Sequence, residues 1–184
     1  YRPFIPGSSV KGSLRSALLR GATLEDIALR NRFSQMALDA AQRRSSASKD
    51  IEADLFTPVD VERAKISNYD LNRVLALSDS SPRVINDLRV EEVKILTTRG
   101  DKLDFKEFGI FVEAVREKCT FRLRATWLRY LIDKNGPASR LHFQDVERLM
   151  LYLPEFCRAA SLNILEQEIA FYHRFGRPSL AGWF

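Results

Sequence analysis

The sequence predicts an α+β fold, with strands in the middle of the chain and helices toward both ends. Near the start, Val10, Leu14 and Leu18 recur at the spacing of one apolar helix face. Apolar and polar residues then alternate along Phe121–Trp127, which is the pattern of a strand with one buried face. A helical pattern returns between residues 141 and 175. The 184 residues suit one domain or two small ones, and no internal repeat is visible.

The first residues are expected to be extended and to lead directly into a helix. Pro3 and Pro6 keep residues 1–6 out of a helix. The Gly7–Ser9 segment predicts a turn with a helix N-cap, and Gly21 predicts the end of the helix that follows.

The next segment predicts a second helix followed by irregular chain. This helix is expected to start at Thr23, and Asp26, three residues later, resembles the acidic member of a capping box. Residues 43–50 are polar and rich in serine, which indicates a mobile loop. Residues 51–70 contain Pro58 and are expected to be irregular.

Two strands are predicted in the middle of the chain. Val74–Leu77 is a short apolar run followed by serines and an aspartate, which is typical of a buried strand that enters a turn. Residues 88–96 form the second candidate, and their apolar parity shifts at Glu91 and Glu92, which predicts a bulge there. Residues 97–107 predict a polar loop.

A hairpin and C-terminal helices complete the predicted order of elements. Ile110–Val115 and Phe121–Trp127 are expected to form the two arms of a hairpin that turns at residues 117–118. The helical pattern from about residue 141 to residue 175 contains Pro154, which is expected to divide it into two helices.

Composition indicates an ordinary folded chain. Apolar residues make up 45% of the sequence and charged residues 29%, which excludes a disordered segment. The net charge of +5 and the pI near 9.4 indicate an anionic partner without establishing one. Cys119 and Cys157 lie far apart, so neither a disulfide framework nor a zinc site is predicted. No apolar run is long enough to span a bilayer, and a reducing, cytoplasmic setting is expected.

The start of the first helix carries charges of the unfavourable sign. A helix N-terminus favours Asp or Glu, yet no acid occurs before Glu25. The segment carries Lys11, Arg15 and Arg20 instead. A phosphate bound by backbone N–H groups, serine hydroxyls and the lysine would explain this pattern. The alternative is a plain amphipathic helix with solvated cations. An ATP-binding P-loop is excluded, because serine follows Gly12 where that motif requires lysine.

Three segments of the chain resemble the RAMP superfamily of CRISPR-associated proteins. The sequence FIPGSSVKGSLR of Phe4–Arg15 resembles the (Y/F)IPGSS(L/I)KGALR signature of that superfamily. Leu75–Ser80 resembles a strand end of the subunit that caps the guide RNA 3′ end in Csm-type (type III-A) effectors, and Cys157–Tyr172 resembles its late helix. The family's preceding strand and its C-terminal glycine-rich loop have no counterpart here, so we expect an incomplete RAMP domain.

The resemblance implies a ferredoxin-like (RRM-like) domain with a helical insertion over residues 1–130, and a helical region over residues 131–184. It implies a non-catalytic subunit of a Csm effector complex that holds the 3′ region of the crRNA, assists its maturation and contacts the adjacent RAMP backbone subunit. No cofactor is expected. Two alternatives stay open: a RAMP endoribonuclease, and a backbone subunit that is repeated along the guide.

The resemblance also implies that four residues lie near the phosphates of the guide RNA: Ser8, Ser9, Lys11 and Arg15. Gly12, without a side chain, would let the two backbones approach closely. Such contacts fix the position of the RNA without reading its sequence. Arg122 and Arg124 lie on one face of a predicted strand and could line an RNA groove, although a solvated sheet face is the alternative that we favour.

Four further residues are candidates for RNA cleavage in such a fold: His142, His173, Asp101 and Asp104. Neither histidine has an evident partner in the sequence, and the spacing of the two aspartates is typical of no catalytic motif. We therefore interpret the histidines as structural or surface residues and expect no catalytic site.

Overall fold

The computed structural model describes residues 2–57, 70–100, 102–133, 135 and 151–182. Within them the helices are α1 (Gly7–Glu25), α2 (Ile27–Gln42), α3 (Ser48–Phe56), α4 (Arg129–Ile132), α5 (Leu153–Arg174) and α6 (Pro178–Ala181). The strands are β1 (Leu75–Leu77), β2 (Leu88–Arg99), β3 (Lys102–Val115) and β4 (Ala125–Trp127). Short 3₁₀ helices cover Leu71–Val74 and Ile85–Asp87. This mixture of helices and antiparallel strands confirms the predicted α+β class.

Backbone contacts group the chain into two compact units. The first, which we call the hairpin unit, comprises Tyr1–Pro6, Asp79–Leu123 and Asn163–Phe184. The second, the helical unit, comprises Gly7–Ser78 and Arg124–Leu162. The expected boundary between residues 130 and 131 stays a prediction, because most of the chain that follows it up to residue 150 lies outside the described residues.

The helical unit has an apolar core to which α1, α2, α3 and the 3₁₀ turn before β1 contribute. Its buried side chains are Leu18, Ala22, Phe33, Leu55, Phe56, Leu71, Val74 and Leu131. Full burial of one leucine or phenylalanine of this kind contributes about 1.5–3 kcal/mol. The cluster therefore holds α1 firmly against its neighbours.

α1 continues past Gly21 to Glu25, so the prediction that this glycine ends the helix is wrong. Gly21 is buried, and a Cβ atom built on it would lie 2.4 Å from the backbone oxygen of Phe156 in α5. The glycine is therefore required for close approach of two backbones and not for helix termination.

α2 confirms the predicted second helix but begins later than expected. It starts at Ile27 instead of Thr23, and Asp26 is its N-cap. The Asp26 carboxylate accepts a hydrogen bond from the Leu29 N–H at 2.9 Å. Because a side-chain acceptor satisfies a donor that the first turn leaves open, this aspartate sets where α2 begins.

α3 covers a stretch for which the sequence predicted loop and irregular chain, so that prediction is wrong for Ser48–Phe56. Leu55 and Phe56 of α3 are buried in the core. Tertiary burial of these two side chains therefore stabilises a helix whose local pattern is weak. The remaining part of the predicted irregular segment, residues 58–69, lies outside the described residues.

β2 and β3 form one antiparallel hairpin whose last pair is Arg99 opposite Lys102. Gly100, in the turn, has a φ of 61°, a left-handed conformation that glycine adopts without strain. The predicted polar loop over residues 97–107 is therefore wrong. Because this part of the ribbon exposes most of its residues to solvent, polar residues are tolerated along both strands.

The register of β2 against β3 shifts between Lys94 and Leu96, not at Glu91 and Glu92 as predicted, and the extra residues lie on β3 between Phe105 and Gly109. The prediction relied on the alternation of apolar and polar residues along this strand, which is interrupted at the two glutamates. Val90 is nevertheless 70% exposed, so apolar residues of this strand are not confined to a buried face. The positions of the apolar residues therefore do not indicate which side chains of β2 share a face of the sheet.

β1 pairs antiparallel with β4, with Leu75 opposite Trp127. Ile110–Val115 pairs with β2, so the predicted hairpin between it and Phe121–Trp127 is wrong. The chain does turn near the predicted position, where Lys118 has a φ of 64°. Each of the two segments beside this turn therefore pairs with a strand that is more distant in sequence than its predicted partner: β3 pairs with β2, and β4 pairs with β1.

α5 begins at Leu153, and Pro154 lies in its first turn, where the missing N–H is tolerated. The helix predicted before Pro154 falls on residues 141–150, outside the described residues. No helix in the described ranges is both long and apolar enough to cross a membrane.

The described strands form two separate two-stranded sheets, β1 with β4 and β2 with β3. The continuous four-stranded sheet of a ferredoxin-like domain is therefore not confirmed. That arrangement remains a proposal, whereas the mixed helix and sheet architecture is observed directly.

Candidate functional site

α1 starts at Gly7, which packs against the end of β1 within the helical unit. Gly7 is buried, and a Cβ atom on it would lie 2.5 Å from the Ser78 carbonyl oxygen and 2.7 Å from the Leu77 carbonyl oxygen. These distances are too short for any side chain, so the helix can begin at this place only with glycine. The glycine of the FIPGSSVKGSLR segment therefore anchors the first turn.

The first turn of α1 presents an exposed surface without acidic residues. Ser8, Ser9 and Gly12 are exposed, and a Cβ atom on Gly12 would meet nothing within 4 Å. A helix leaves its first backbone N–H groups without intrahelical acceptors and carries a partial positive charge there. This surface can therefore accept an anion, and a ligand can approach the backbone closely at Gly12.

Lys11 adds a partly desolvated cation to the same surface. Its side chain is half-buried, and burial is the main cause that lowers the pKa of its ammonium group below the usual value. The Asp70 carboxylate acts in the opposite direction, whereas the charges of Arg73 and Arg15 lower this pKa further. A bound phosphate would favour the protonated ammonium and so offset both the burial and the repulsion.

Arg15 is engaged with side chains of the helical unit. Its Nε donates to Glu52 Oε2 at 2.8 Å, and its Nη1 donates to Asp70 Oδ2 at 2.6 Å. The guanidinium also stacks on the Phe56 ring, 4.1 Å from the ring centroid. Sequence reasoning missed both acids, because 37 and 55 residues separate them from Arg15. The guanidinium thus has three partners within the protein.

In the hairpin unit, Ser80 ties the opening segment to the chain that follows β1. Ser80 is 5% exposed, and its hydroxyl accepts a hydrogen bond from the Ile5 N–H at 2.8 Å. The Ser80 N–H donates in turn to the Ile5 carbonyl at 2.9 Å, and the Arg83 N–H donates to the Pro3 carbonyl at 2.9 Å. Two of the three segments with RAMP-like sequence are therefore paired through their backbones. Residues 2–6 lie outside any helix, as predicted.

Arg122 and Arg124 have exposed side chains on anchored backbone. In the hairpin unit, the Ser81 N–H donates to the Arg122 carbonyl at 2.8 Å. In the helical unit, the Arg124 N–H donates to Ser78 Oγ at 2.9 Å, and the Ser78 N–H donates to the Arg124 carbonyl at 3.0 Å. Gly7 packs on the same serine, so Ser78 links Arg124 to the start of α1.

The residues considered for catalysis form no cluster within the described ranges. His142 and Asp101 lie outside those ranges. His173 is exposed in the last turn of α5, and Asp104 accepts a hydrogen bond from the neighbouring Phe105 N–H at 2.8 Å. In this part of the chain, no group of three or more His, Cys, Asp or Glu side chains could hold a metal ion.

Fold and site together define an α+β protein in which a glycine-started helix presents serines and a lysine beside the end of a strand. The chain belongs to the RAMP superfamily, whose family model matches residues 1–176. This match confirms the superfamily that the Phe4–Arg15 segment indicated. No curated protein sequence matches the chain.

Two solved structures resemble the chain. One is the crystal structure of T. onnurineus Csm5, with a TM-score of 0.61 and 20% identity over 96% of this chain and 55% of that chain. The other is a chain of the cryo-EM structure of a Csm-crRNA-target RNA ternary complex in a type III-A CRISPR-Cas system, with a TM-score of 0.48 and 22% identity over 94% of this chain and 50% of that chain. The chain thus spans about half the length of each. The similarity to Csm5 shows a shared fold.

Proposed function

We propose that the chain is a non-catalytic, RNA-binding subunit of a type III-A CRISPR (Csm) ribonucleoprotein. In this role it holds the 3′ region of the crRNA and assists the maturation of that RNA in antiviral defence. It packs beside the adjacent RAMP backbone subunit and acts in the cytoplasm. RAMP membership and the fold shared with Csm5 support the assignment. The acid-free start of α1 is the observation that carries it.

The start of α1 suits the backbone of an RNA better than its bases. Ser8 and Ser9 offer hydroxyl and backbone donors, Lys11 offers a positive charge, and Gly12 leaves the approach open. Phosphate oxygens only accept hydrogen bonds, so a surface made of donors and a cation matches them. Contacts to phosphates do not read sequence. This suits a complex in which base pairing of the guide supplies the specificity.

Arg124 extends the proposed surface within the helical unit, Arg15 supports it, and Arg122 is a separate proposed RNA contact in the hairpin unit. Arg122 and Arg124 are exposed and can each pair with a phosphate through two hydrogen bonds. Arg15 is bonded to Glu52 and Asp70. We therefore propose that Arg15 positions the surface around Lys11 and that the phosphate contacts fall to the other members of the set.

The test compares the RNA affinity of Lys11→Glu with that of Lys49→Glu. Lys49 is exposed near the start of α3, so it provides the same change of charge close to another helix N-terminus. We expect K11E to raise the Kd for several unrelated single-stranded RNAs by about tenfold, and K49E to leave it within about twofold. Titrations at several salt concentrations add a second readout, because loss of one phosphate contact reduces the salt slope by about 0.7.

Unchanged RNA affinity in K11E would refute the site at α1. A loss of affinity for some RNA sequences but not others would contradict recognition of the backbone. The unsubstituted protein tests the two alternative functions. Cleavage of labelled RNA, with or without a divalent metal ion, would favour an endoribonuclease. Several copies of the chain in one complex, counted by native mass spectrometry, would favour a repeated backbone subunit.

A further inference from the structure

The helical unit has an open groove, with a volume of about 960 Å³, between the junction of α1 with α2 and the start of α5. The two sides are in close contact at Gly21, where a Cβ atom would lie 2.4 Å from the Phe156 backbone oxygen. Leu55 of α3 also lines the groove and belongs to the apolar core. This α1–α2 groove is therefore formed by elements that pack on one another within a single unit.

Large apolar side chains line the α1–α2 groove and remain accessible to solvent. Ile27 at the start of α2 is 63% exposed, and Tyr152 before α5 is 49% exposed. The Tyr152 ring packs edge-on against the Phe156 ring, with 6.4 Å between the ring centroids. Apolar side chains collected in a concave site are typical of a binding surface, unlike apolar residues scattered singly. The groove therefore favours a ligand with an apolar group to bury.

The charged side chains of the groove all have one sign. Among the described residues that line it, Glu25, Asp26 and Glu155 are acidic and none is basic, although the whole chain has a net charge of +5. Asp26 is occupied as the N-cap of α2. Glu25 and Glu155 are exposed, and neither side chain has a hydrogen bond or ion pair with another described residue. These two carboxylates are therefore available to a cationic ligand.

The position of Glu25 in α1 also favours a cation. Glu25 is the last residue of the helix, where unpaired carbonyl groups carry a partial negative charge, and the last turn of α1 has no basic residue. A metal ion does not fit, because the described residues contain no group of three or more His, Cys, Asp or Glu side chains placed to bind one. RNA does not fit either, since the carboxylates repel phosphates.

We propose that the α1–α2 groove docks a segment of a partner protein in which a large apolar side chain is flanked by Lys or Arg. The apolar side chain packs against Ile27, and the flanking cations pair with Glu25 and Glu155. Charge complementarity of this kind selects the partner, while burial of the apolar side chain supplies affinity. Lys11 and Glu25 lie about 20 Å apart along α1, so the inference goes beyond the proposed function and does not depend on RNA binding.

The experiment measures by fluorescence anisotropy the Kd of the chain for a labelled synthetic peptide in which Leu and Phe are flanked by Lys. We expect this peptide to bind about tenfold more tightly than one with Glu in place of Lys, or with Ser in place of Leu and Phe. The double variant E25Q/E155Q should raise the Kd about threefold to tenfold, and Ile27→Ser should do the same. The double variant E166Q/E168Q removes the same charge from exposed residues of α5 outside the groove and should stay within about twofold of the parent.

A reversal of charge makes the test independent of stability. The double variant E25K/E155K changes only exposed side chains, so it should keep the Tm of the parent and should prefer the Glu peptide to the Lys peptide. Equal binding of the Lys and Glu peptides by the parent overturns the inference, as does binding of neither. Equal losses in the two glutamine double variants overturn it as well, because they would report net charge alone.

Two further results would assign the groove to another occupant and so overturn the inference. One is a rise of several fold in the Kd for single-stranded RNA in E25Q/E155Q at an unchanged Tm. The other is a dimer in sedimentation experiments that Ile27→Ser abolishes, since a second copy of the chain would then fill the groove. The RNA contact at Lys11 is tested separately by K11E, so failure at the groove leaves the proposed function standing.

Discussion

The start of α1 and the hairpin of β2 and β3 display opposite surface chemistry. Residues 7–24 contain three basic residues and no acid. Lys11 and Arg15 are half-buried there, and Arg15 is bonded to carboxylates. The two strands of the hairpin contain five basic and five acidic residues. They also expose large apolar side chains, with Val90 at 70% and Phe111 at 73%.

This contrast teaches that the net charge of +5 is not spread evenly over the surface. An RNA backbone is attracted by positive charge that nearby acids do not compensate. The first turns of α1 contribute Lys11 and no acid of their own, whereas basic and acidic residues are equal in number along the hairpin. We therefore expect RNA affinity to depend on α1 and to be insensitive to the hairpin, and the following substitutions can break or sharpen that difference.

The largest effect is expected from Gly7→Ala, which should lower the free energy of unfolding by about 1–3 kcal/mol. The reason is that the new Cβ atom would meet the Ser78 carbonyl oxygen at 2.5 Å. Gly12→Ala is the matched control, since its Cβ atom would meet nothing within 4 Å. Replacing this helical glycine should raise the free energy of unfolding by up to about 1 kcal/mol. Urea titrations measure both, and equal effects would contradict the packing of α1 on β1.

Arg15→Met is expected to lower the free energy of unfolding by about 1–2 kcal/mol, because Glu52 and Asp70 lose their guanidinium partner. Arg83→Met provides the comparison in the hairpin unit. It removes an ion pair with Asp87, four residues along the chain, and should cost at most about 0.5 kcal/mol. Thermal unfolding ranks the two variants. A larger loss in Arg83→Met would show that the network at α1 contributes little to stability.

A smaller effect is expected from pH, through Lys11. Phosphate binds the protonated ammonium, so the contribution of Lys11 to RNA affinity is complete below its pKa and is lost as pH rises through that pKa. Burial lowers this pKa, so the loss should begin at a lower pH than for an ordinary lysine. We expect the Kd of the parent to rise by about threefold more than that of Lys11→Gln between neutral and alkaline pH. Parallel pH profiles in the two proteins would exclude Lys11 as the titrating contact.

The smallest effect is expected from Phe111→Ser on β3. This side chain is 73% exposed, so the free energy of unfolding should change by no more than about 0.5 kcal/mol. The Kd for RNA should stay within about twofold of the parent, because the substitution changes no charge near α1. A several-fold rise in Kd at constant stability would show that RNA contacts the hairpin, and it would contradict the expected difference between the two regions.

Features with a local cause could be predicted from the sequence. The extended residues before α1 and the apolar spacing of α1 depend on residues within a few positions, since Pro3 and Pro6 exclude a helix from residues 2–6. The presence of two serines and Lys11 in the first turns of α1 follows from the position of that helix in the sequence. The role of Arg15 could not be predicted, because it depends on the approach of Glu52 and Asp70 from distant parts of the chain.

The amino-acid sequence by itself determined the α+β class, the superfamily and the helix that carries the candidate site, since spacing and backbone preference act over a few residues. Only the tertiary structure decided which strands pair, where the register of β2 and β3 shifts and why Gly21 is a glycine. Strand pairing is a choice among partners that are far apart in the chain, and a solvent-exposed ribbon carries no apolar pattern to mark its register. Packing of one backbone on another, as at Gly21, is likewise invisible until both helices are in place.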